Sequence, residues 1–285
     1  MTTGSQKRYG IIGHPIGHSL SPLLYTTAFR LCGLSHTYES FDLERSKLAD
    51  DFRRLLDEGY AGFNVTIPHK ESIMQHLSEI DPEATAVGAV NTIVVRESGT
   101  LGLNTDVYGV TKLFEPSRRH INGKDVLLLG AGGAARAAVV ALQKNFHPSH
   151  ILLASRSSER GKKFAGSFPS IPIEVTDFSV PRLQVAARSC SVIVNTTPIG
   201  MHPRVEESPL PKEVQISSSH LVIDLIYTPF ETTFMSDAAR AGATSVGGVE
   251  MLLHQAARAF EMWTGMKMPV EEVRKVVERK LRDKV

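Results

Sequence analysis

At 285 residues the chain is long for one core and comfortable for two domains, and its 42% hydrophobic and 22% charged content is ordinary for a globular protein. A balance of 32 basic against 30 acidic residues gives no electrostatic reason to expect nucleic acid, and the two isolated cysteines, Cys32 and Cys190, fit a reducing compartment without offering metal-ligand spacing. No apolar run approaches the ~18–20 residues of a membrane span and the polar N-terminus lacks a secretory core, so a cytoplasmic protein with no membrane partner and no metal is expected.

Strand-like and helix-like segments alternate along the whole chain, which predicts an α/β protein. Tyr9–Ile12 reads as a strand, and Pro22–Cys32 as a helix with proline in its first turn and Gly33 as its stop. Arg45–Leu56 repeats Leu48, Phe52 and Leu55 at helical spacing. Gly62–Ile67 is a predicted strand, after which Pro68 is expected to open a helix. Thr92–Val95 and Leu101–Leu103, joined through Glu97-Ser98-Gly99, read as a hairpin. Pro116–Asn122 has no periodicity and reads as a connection. Beyond it come the apolar run Asp125–Leu129, a helix over Ala134–Lys144, and strands at Ile151–Ala154, Ile173–Val175, Val192–Asn195, Val222–Leu225 and Thr244–Val246. That alternation predicts a doubly wound parallel sheet. Glu250–Trp263 and Val270–Leu281 are helical with no strand after them, so they are expected to return to the first domain.

The chemistry-bearing residues fall between these elements. Gly130-Ala131-Gly132-Gly133-Ala134-Ala135 fits the G-x-G-x-x-A dinucleotide fingerprint in an informative context, after a predicted strand and opening a helix. The next strand ends in Ser155-Arg156-Ser157, where an NAD site would carry an acid for the ribose 2′-hydroxyl; a guanidinium suits a 2′-phosphate instead. Asn195 to Met201 closes a later strand with small polar residues. Upstream, Ser19 and Ser21 lie two apart and can face one ligand group, although Ser21 is also a good helix cap before Pro22. Lys70 is expected in the first turn of its helix, where the macrodipole would lower its proton affinity. Asn104-Thr105-Asp106 follows Asn91-Thr92-Ile93 by thirteen residues, and Asp106 is either a carboxylate partner or a helix cap.

Together these segments resemble the shikimate dehydrogenase family across nearly the whole chain. The resemblance rests on His18–Pro22, Asn64-Val65-Thr66 with Pro68 and Lys70, Gly88–Thr92, Asn104–Asp106 with Gly109, the Gly130 loop, Asn195–Met201, Asp224–Pro229, and Gly247–Leu252 with Gln255. It implies a substrate-binding and catalytic α/β domain over residues 1–107, a Rossmann-type doubly wound NADP-binding domain over 108–246, and C-terminal helices over 247–285 that pack back on the first. By resemblance, Ser19, Ser21 and Tyr227 would hold a substrate carboxylate, and Thr66, Asn91, Asp106 and Gln255 its ring hydroxyls. Lys70 and Asp106 would manage the proton. NADP would be held by Gly130, Ala131, Gly132, Gly133, Ala134, Ser155, Arg156, Ser157, Thr196, Thr197, Pro198, Gly200, Met201, Ile226, Gly248 and Met251. NADP-binding members often have Asn-Arg-Thr where this chain has Ser155-Arg156-Ser157, so the choice of cofactor rests on Arg156.

The activity so implied is reversible, NADPH-dependent reduction of 3-dehydroshikimate to shikimate in the chorismate route to aromatic amino acids, by a monomer or homodimer whose only other partner is its small-molecule substrate. The competing readings are a quinate/shikimate dehydrogenase using NAD or both cofactors, and a non-catalytic ligand sensor on the same fold. Retention of Lys70 and Asp106 argues against the sensor.

Overall fold

The computed structural model describes residues 6–283, leaving the first five and last two residues of the expected terminal domains outside the description. The chain forms two compact units, one running to Tyr108 and taking up Leu253–Lys280, the other built on Gly109–Leu252 and rejoined at Leu281.

In chain order the first unit contains β1 (Arg8–Gly13), α1 (Ser21–Leu31), β2 (Thr37–Asp42), α2 (Leu48–Asp57), β3 (Gly62–Val65), β4 (Glu79–Ile80), α3 (Pro82–Val87), β5 (Thr92–Arg96) and β6 (Gly99–Leu103). Then α4 (Asp106–Phe114) carries the chain out. The sheet order is β2-β1-β3-β5-β6-β4. Its first three strands are parallel, and the β5–β6 hairpin enters antiparallel beside β3. Leu48, Phe52 and Leu55 of α2 repeat at helical spacing and are buried with Ile12, Phe63, Val65 and Ile93. Each such side chain contributes about 1.5–3 kcal/mol by leaving water.

The second unit adds α5 (Arg118–Ile121), β7 (Val126–Leu129), α6 (Gly133–Asn145), β8 (Ile151–Ala154), α7 (Ser158–Gly166), β9 (Ile173–Thr176), α8 (Val180–Ser189), β10 (Val192–Asn195), β11 (Leu221–Asp224), α9 (Thr233–Arg240) and β12 (Thr244–Val246). The connection expected over 116–122 is therefore partly helical. All six strands are parallel in the order β12-β11-β10-β7-β8-β9, which is the doubly wound topology. Strand order reverses between β7 and β10, the switch point at which doubly wound sheets generally take their ligands, at the carboxyl ends of the strands.

Helices α10 (Val249–Thr264) and α11 (Val270–Arg282) close the chain, and from Leu253 to Lys280 they belong to the first unit. Trp263 explains why. Its indole Nε1 donates to the Ile93 carbonyl at 2.9 Å, its ring stacks on Tyr9 at 4.9 Å, and a Cβ at Gly62 would lie 2.4 Å from its nitrogen. Tyr25, Phe29 and Phe260 complete the aromatic layer, and the Tyr25 hydroxyl donates to the Ala256 carbonyl.

Candidate active site

In the first unit the polar residues between β5 and α4 form one network around a lysine. Lys70 Nζ donates to Asp106 Oδ2 at 2.6 Å, with the two side chains 27% and 11% exposed. Asn91 Nδ2 donates to Asp106 Oδ1 at 2.8 Å, to Thr105 Oγ1 at 3.1 Å and to Gln255 Oε1 at 3.4 Å. The β5–β6 hairpin makes this possible: Asn91 and Asn104 stand at its two open ends, and the Asn91 backbone N–H donates to the Leu103 carbonyl. Asn104 Oδ1 accepts the Asp106 N–H at 3.1 Å, so the capping role considered for Asp106 belongs to Asn104 and leaves both Asp106 oxygens to the network.

Two local expectations are corrected. Pro68 does not open a helix, and Lys70 lies in a turn ahead of a short 3₁₀ segment at Ser72–His76. The Ile67–Pro68 bond is cis, His69 N–H returns to the Thr66 carbonyl, and the Lys70 carbonyl is taken by Val90 N–H at 2.8 Å. That carbonyl is committed to a distant segment, so no helical ladder starts here and no macrodipole acts on Lys70. The cap expected at Ser21 is also not formed: the N-cap position of α1 is Leu20, and the helix has no side-chain cap. Ser21 is the first helical residue and caps nothing, while Ser19 Oγ accepts the Ser21 N–H at 3.2 Å.

Behind the lysine runs a second buried chain. The Tyr38 hydroxyl donates to Asn64 Oδ1 at 2.6 Å, and Asn64 Nδ2 reaches the Asn91 carbonyl and Thr92 Oγ1, each at 3.3 Å. Burial holds the Tyr38 phenol well above its ordinary range, aided by the neighbouring Tyr25 and opposed by a hydrogen bond from Ser21. Tyr38, Asn64, Asn91, Asp106 and Lys70 are therefore linked through hydrogen bonds. Thr66 sits at the head of the lysine turn, half-buried, its N–H on the Ile12 carbonyl. Sequence reasoning missed Tyr38, Asn64 in this role, and Thr105; Tyr38 and Asn64 are 26 positions apart, and only the parallel pairing of β2, β1 and β3 joins them.

In the second unit the expected cofactor residues gather at the carboxyl ends of β7, β8, β10 and β11 and at the start of α10. Gly130 has φ +102° and a Cβ there would meet Thr196 and Thr197 at about 3 Å, so the turn demands glycine twice over. Gly132 and Gly133 differ, because a Cβ at either would meet nothing within 4 Å beyond its chain neighbours and its own helix backbone. With Gly132 as N-cap, α6 has no side-chain cap, and its first N–H groups remain available to an anion. This open backbone at a strand-to-helix turn fits a pyrophosphate.

Arg156 is exposed after β8, and Ser157 Oγ caps α7 by accepting the Arg160 N–H. Ser155 is buried and donates to the Ser157 carbonyl at 2.9 Å. Both serines thus shape the turn that presents Arg156. Arg160, a second exposed cation four residues on, is not among the residues expected from the sequence. Thr196 Oγ1 donates to the Leu129 carbonyl at 2.7 Å and ties the Thr196–Met201 loop to the glycine turn. Tyr227 follows β11, half-buried, two residues before a cis proline. Among the described residues no cluster of acids, histidines and cysteines could hold a metal, and no helix is long and apolar enough to cross a membrane.

Three family models match in succession: the shikimate dehydrogenase substrate binding domain over residues 11–93, shikimate/quinate 5-dehydrogenase over 112–229, and the shikimate 5′-dehydrogenase C-terminal domain over 248–278. The shikimate dehydrogenase (NADP(+)) of Bacillus cytotoxicus is 40% identical over 96% of this chain and 98% of its own length. That of Methanococcus maripaludis is 35% identical, with 97% and 98% covered. The crystal structure of Thermus thermophilus shikimate 5-dehydrogenase in complex with NADP(H) and shikimate superposes with a TM-score of 0.85 at 31% identity, covering 96% of this chain and 99% of that one. Fold, polar network and near-full-length likeness agree: the chain belongs to the shikimate dehydrogenase family.

Proposed function

We propose that this protein catalyses the reversible, NADPH-dependent reduction of 3-dehydroshikimate to shikimate, a step on the route to aromatic amino acids. The observation that carries the reading is the Lys70–Asp106 pair at 2.6 Å, joined to the Asn91 amide, in a chain that also holds a dinucleotide turn. NADPH, when bound, supplies the hydride. Lys70 donates the proton to the ketone oxygen as negative charge develops there, and its ammonium stabilises that charge beforehand. Asp106 fixes the Lys70 amine and accepts from a ring hydroxyl. Thr66, Asn91 and Gln255 hold the remaining hydroxyls, and Ser19, Ser21 and Tyr227 take the carboxylate.

NADP would lie along Gly130–Ala134, with Arg156 and Arg160 on its 2′-phosphate and the Thr196–Met201, Ile226, Gly248 and Met251 positions completing the site. The two cysteines are both unpaired, which supports a cytoplasmic setting. The even charge balance supports the absence of a nucleic-acid partner, and the assembly is taken as a monomer or homodimer. Initial rates with shikimate and quinate, each against NADP and NAD, test the reading. Shikimate with NADP should give the highest kcat/KM; highest kcat/KM with quinate and NAD would replace it.

A further inference from the structure

Asn195 and Asp224, at the ends of β10 and β11, are register partners in adjacent parallel strands, and neither has any exposed surface. A buried carboxylate is unfavourable, and a well-packed apolar pair of similar volume is often as stable or more so. Burial does push the Asp224 carboxyl up to about 6, against hydrogen bonds from Thr232, the Ile226 N–H and Asn195. Stability alone therefore does not account for the pair. What distinguishes it from an apolar pair is where its hydrogen bonds go.

Asn195 Oδ1 accepts the Thr197 N–H at 2.9 Å and the Thr197 hydroxyl at 2.8 Å, while Nδ2 donates to the Ile199 carbonyl at 3.2 Å and to Asp224 Oδ1 at 3.0 Å. Asp224 Oδ1 also accepts the Ile226 N–H at 3.0 Å, and Oδ2 accepts the Thr232 hydroxyl at 2.7 Å. Thr232 in turn caps α9 through the Met235 N–H. The Ile226 carbonyl receives the Gly248 N–H at 3.0 Å, where a Cβ would lie 2.3 Å from the Leu225 oxygen. One amide and one carboxylate thus fix the backbone of the loop after β10, the turn after β11 and, through that turn, the entry to α10.

We propose that Asn195 and Asp224, with Thr232, are positioning residues for the cofactor, a buried pair that holds the Thr196–Met201 loop and the Ile226–Gly248 contact in the geometry NADP requires. The inference rests on the NADP site assigned above. Asp224→Asn tests it, because that change keeps the shape, removes the buried charge and replaces one acceptor oxygen by a donor. The melting temperature should hold or rise at pH 8, while the calorimetric Kd for NADP rises by about 5- to 20-fold, the scale of one weakened charge-assisted hydrogen bond. Amide exchange at Thr197 and Ile226 should quicken.

Thr232→Val should weaken NADP in the same direction, with KM for NADP rising more than kcat falls, and Thr232→Ser should restore binding. This second pair decides the matter if the asparagine variant does not fold. Titration of wild type with NADP comes first: no binding would remove the cofactor reading itself. Wild-type binding together with Asp224→Asn and Thr232→Val variants that bind NADP within about 1.5-fold of it would overturn the positioning role alone.

Discussion

Replacing Lys70 by alanine removes the only ammonium in the polar network described between β5 and α4. Loss of a general acid lowers kcat by roughly 10²–10⁴-fold, which is about 2.7–5.5 kcal/mol of transition-state stabilisation. The effect on the fold is smaller. The pair is 27% and 11% exposed, between the surface and buried limits, and the abandoned Asp106 keeps its 2.8 Å bond from Asn91. A stability loss of about 1–2 kcal/mol follows, a shift of a few degrees in melting temperature. The assay is steady-state turnover at saturating shikimate and NADP, with NADP titration and a melting curve as the control for folding. Lys70→Arg sharpens it, since a guanidinium restores the charge pair but is too weak an acid to give up its proton. Both variants should be slow. An alanine variant within about tenfold of wild type would remove Lys70 from proton transfer, and full recovery in the arginine variant would reduce its role to electrostatics.

The remaining expectations concern binding and pH. Arg156→Ala should weaken NADP by about 10–150-fold, the scale of a lost charge-assisted pair, and leave NAD unchanged in parallel titrations; an unaltered Kd for NADP would refute the 2′-phosphate assignment. Ser21→Ala should raise KM for shikimate with little change in melting temperature, whereas Ser19→Ala should do both, because the Ser19 hydroxyl also holds the Ser21 N–H in a bond worth about 0.5–1.5 kcal/mol. Should Ser19→Ala change only the melting temperature, Ser19 braces the entry to α1 and is not a ligand group. Asp224 is raised from 3.8 to about 6, so the folded state retains a proton that the unfolded chain has lost. Its contribution to stability therefore falls as pH rises from about 4 to about 6, by about 3 kcal/mol at ~1.4 kcal/mol per unit, and is flat above. The melting temperature of Asp224→Asn relative to wild type should climb across that window and then level off; a difference constant from pH 4.5 to 8 would contradict it.

The second unit was the more legible half, for a physical reason. Buried parallel strands are continuous apolar runs, so Val126–Leu129 and Val192–Asn195 declared themselves, and the glycine turn after the first needed only local sequence. Thr37–Asp42 is an edge strand with one fully buried residue, Tyr38, and no apolar alternation to betray it. Helix α7 buries only Gly161 and Phe164, too few to make a stripe. At the site, Lys70, Asp106 and Asn91 were visible as residue types at suggestive positions. Their geometry was not, because the turn that carries Lys70 is set by Val90 and Thr66, and a proline read locally suggests a helix. The missing cap at Ser21 has the same origin: capping depends on backbone angles that an S-L-S-P string leaves open.

The Trp263 bridge bears on the order in which the molecule can be made. Its bond to Ile93 spans 170 positions, and the Tyr9 hydroxyl reaches the Trp263 carbonyl across 254. A ribosome releases β1 to β6 early, yet the aromatic layer that covers Tyr9, Tyr25 and the notch at Gly62 arrives only with the second-last helix. The nucleotide-binding unit is nearly contiguous in the chain and can close while the nascent N-terminal sheet still shows an apolar face to solvent. A chain ending anywhere before residue 263 lacks the aromatic wall that braces these strands, and one ending before residue 255 also lacks the Gln255 partner of Asn91 in the Lys70 network.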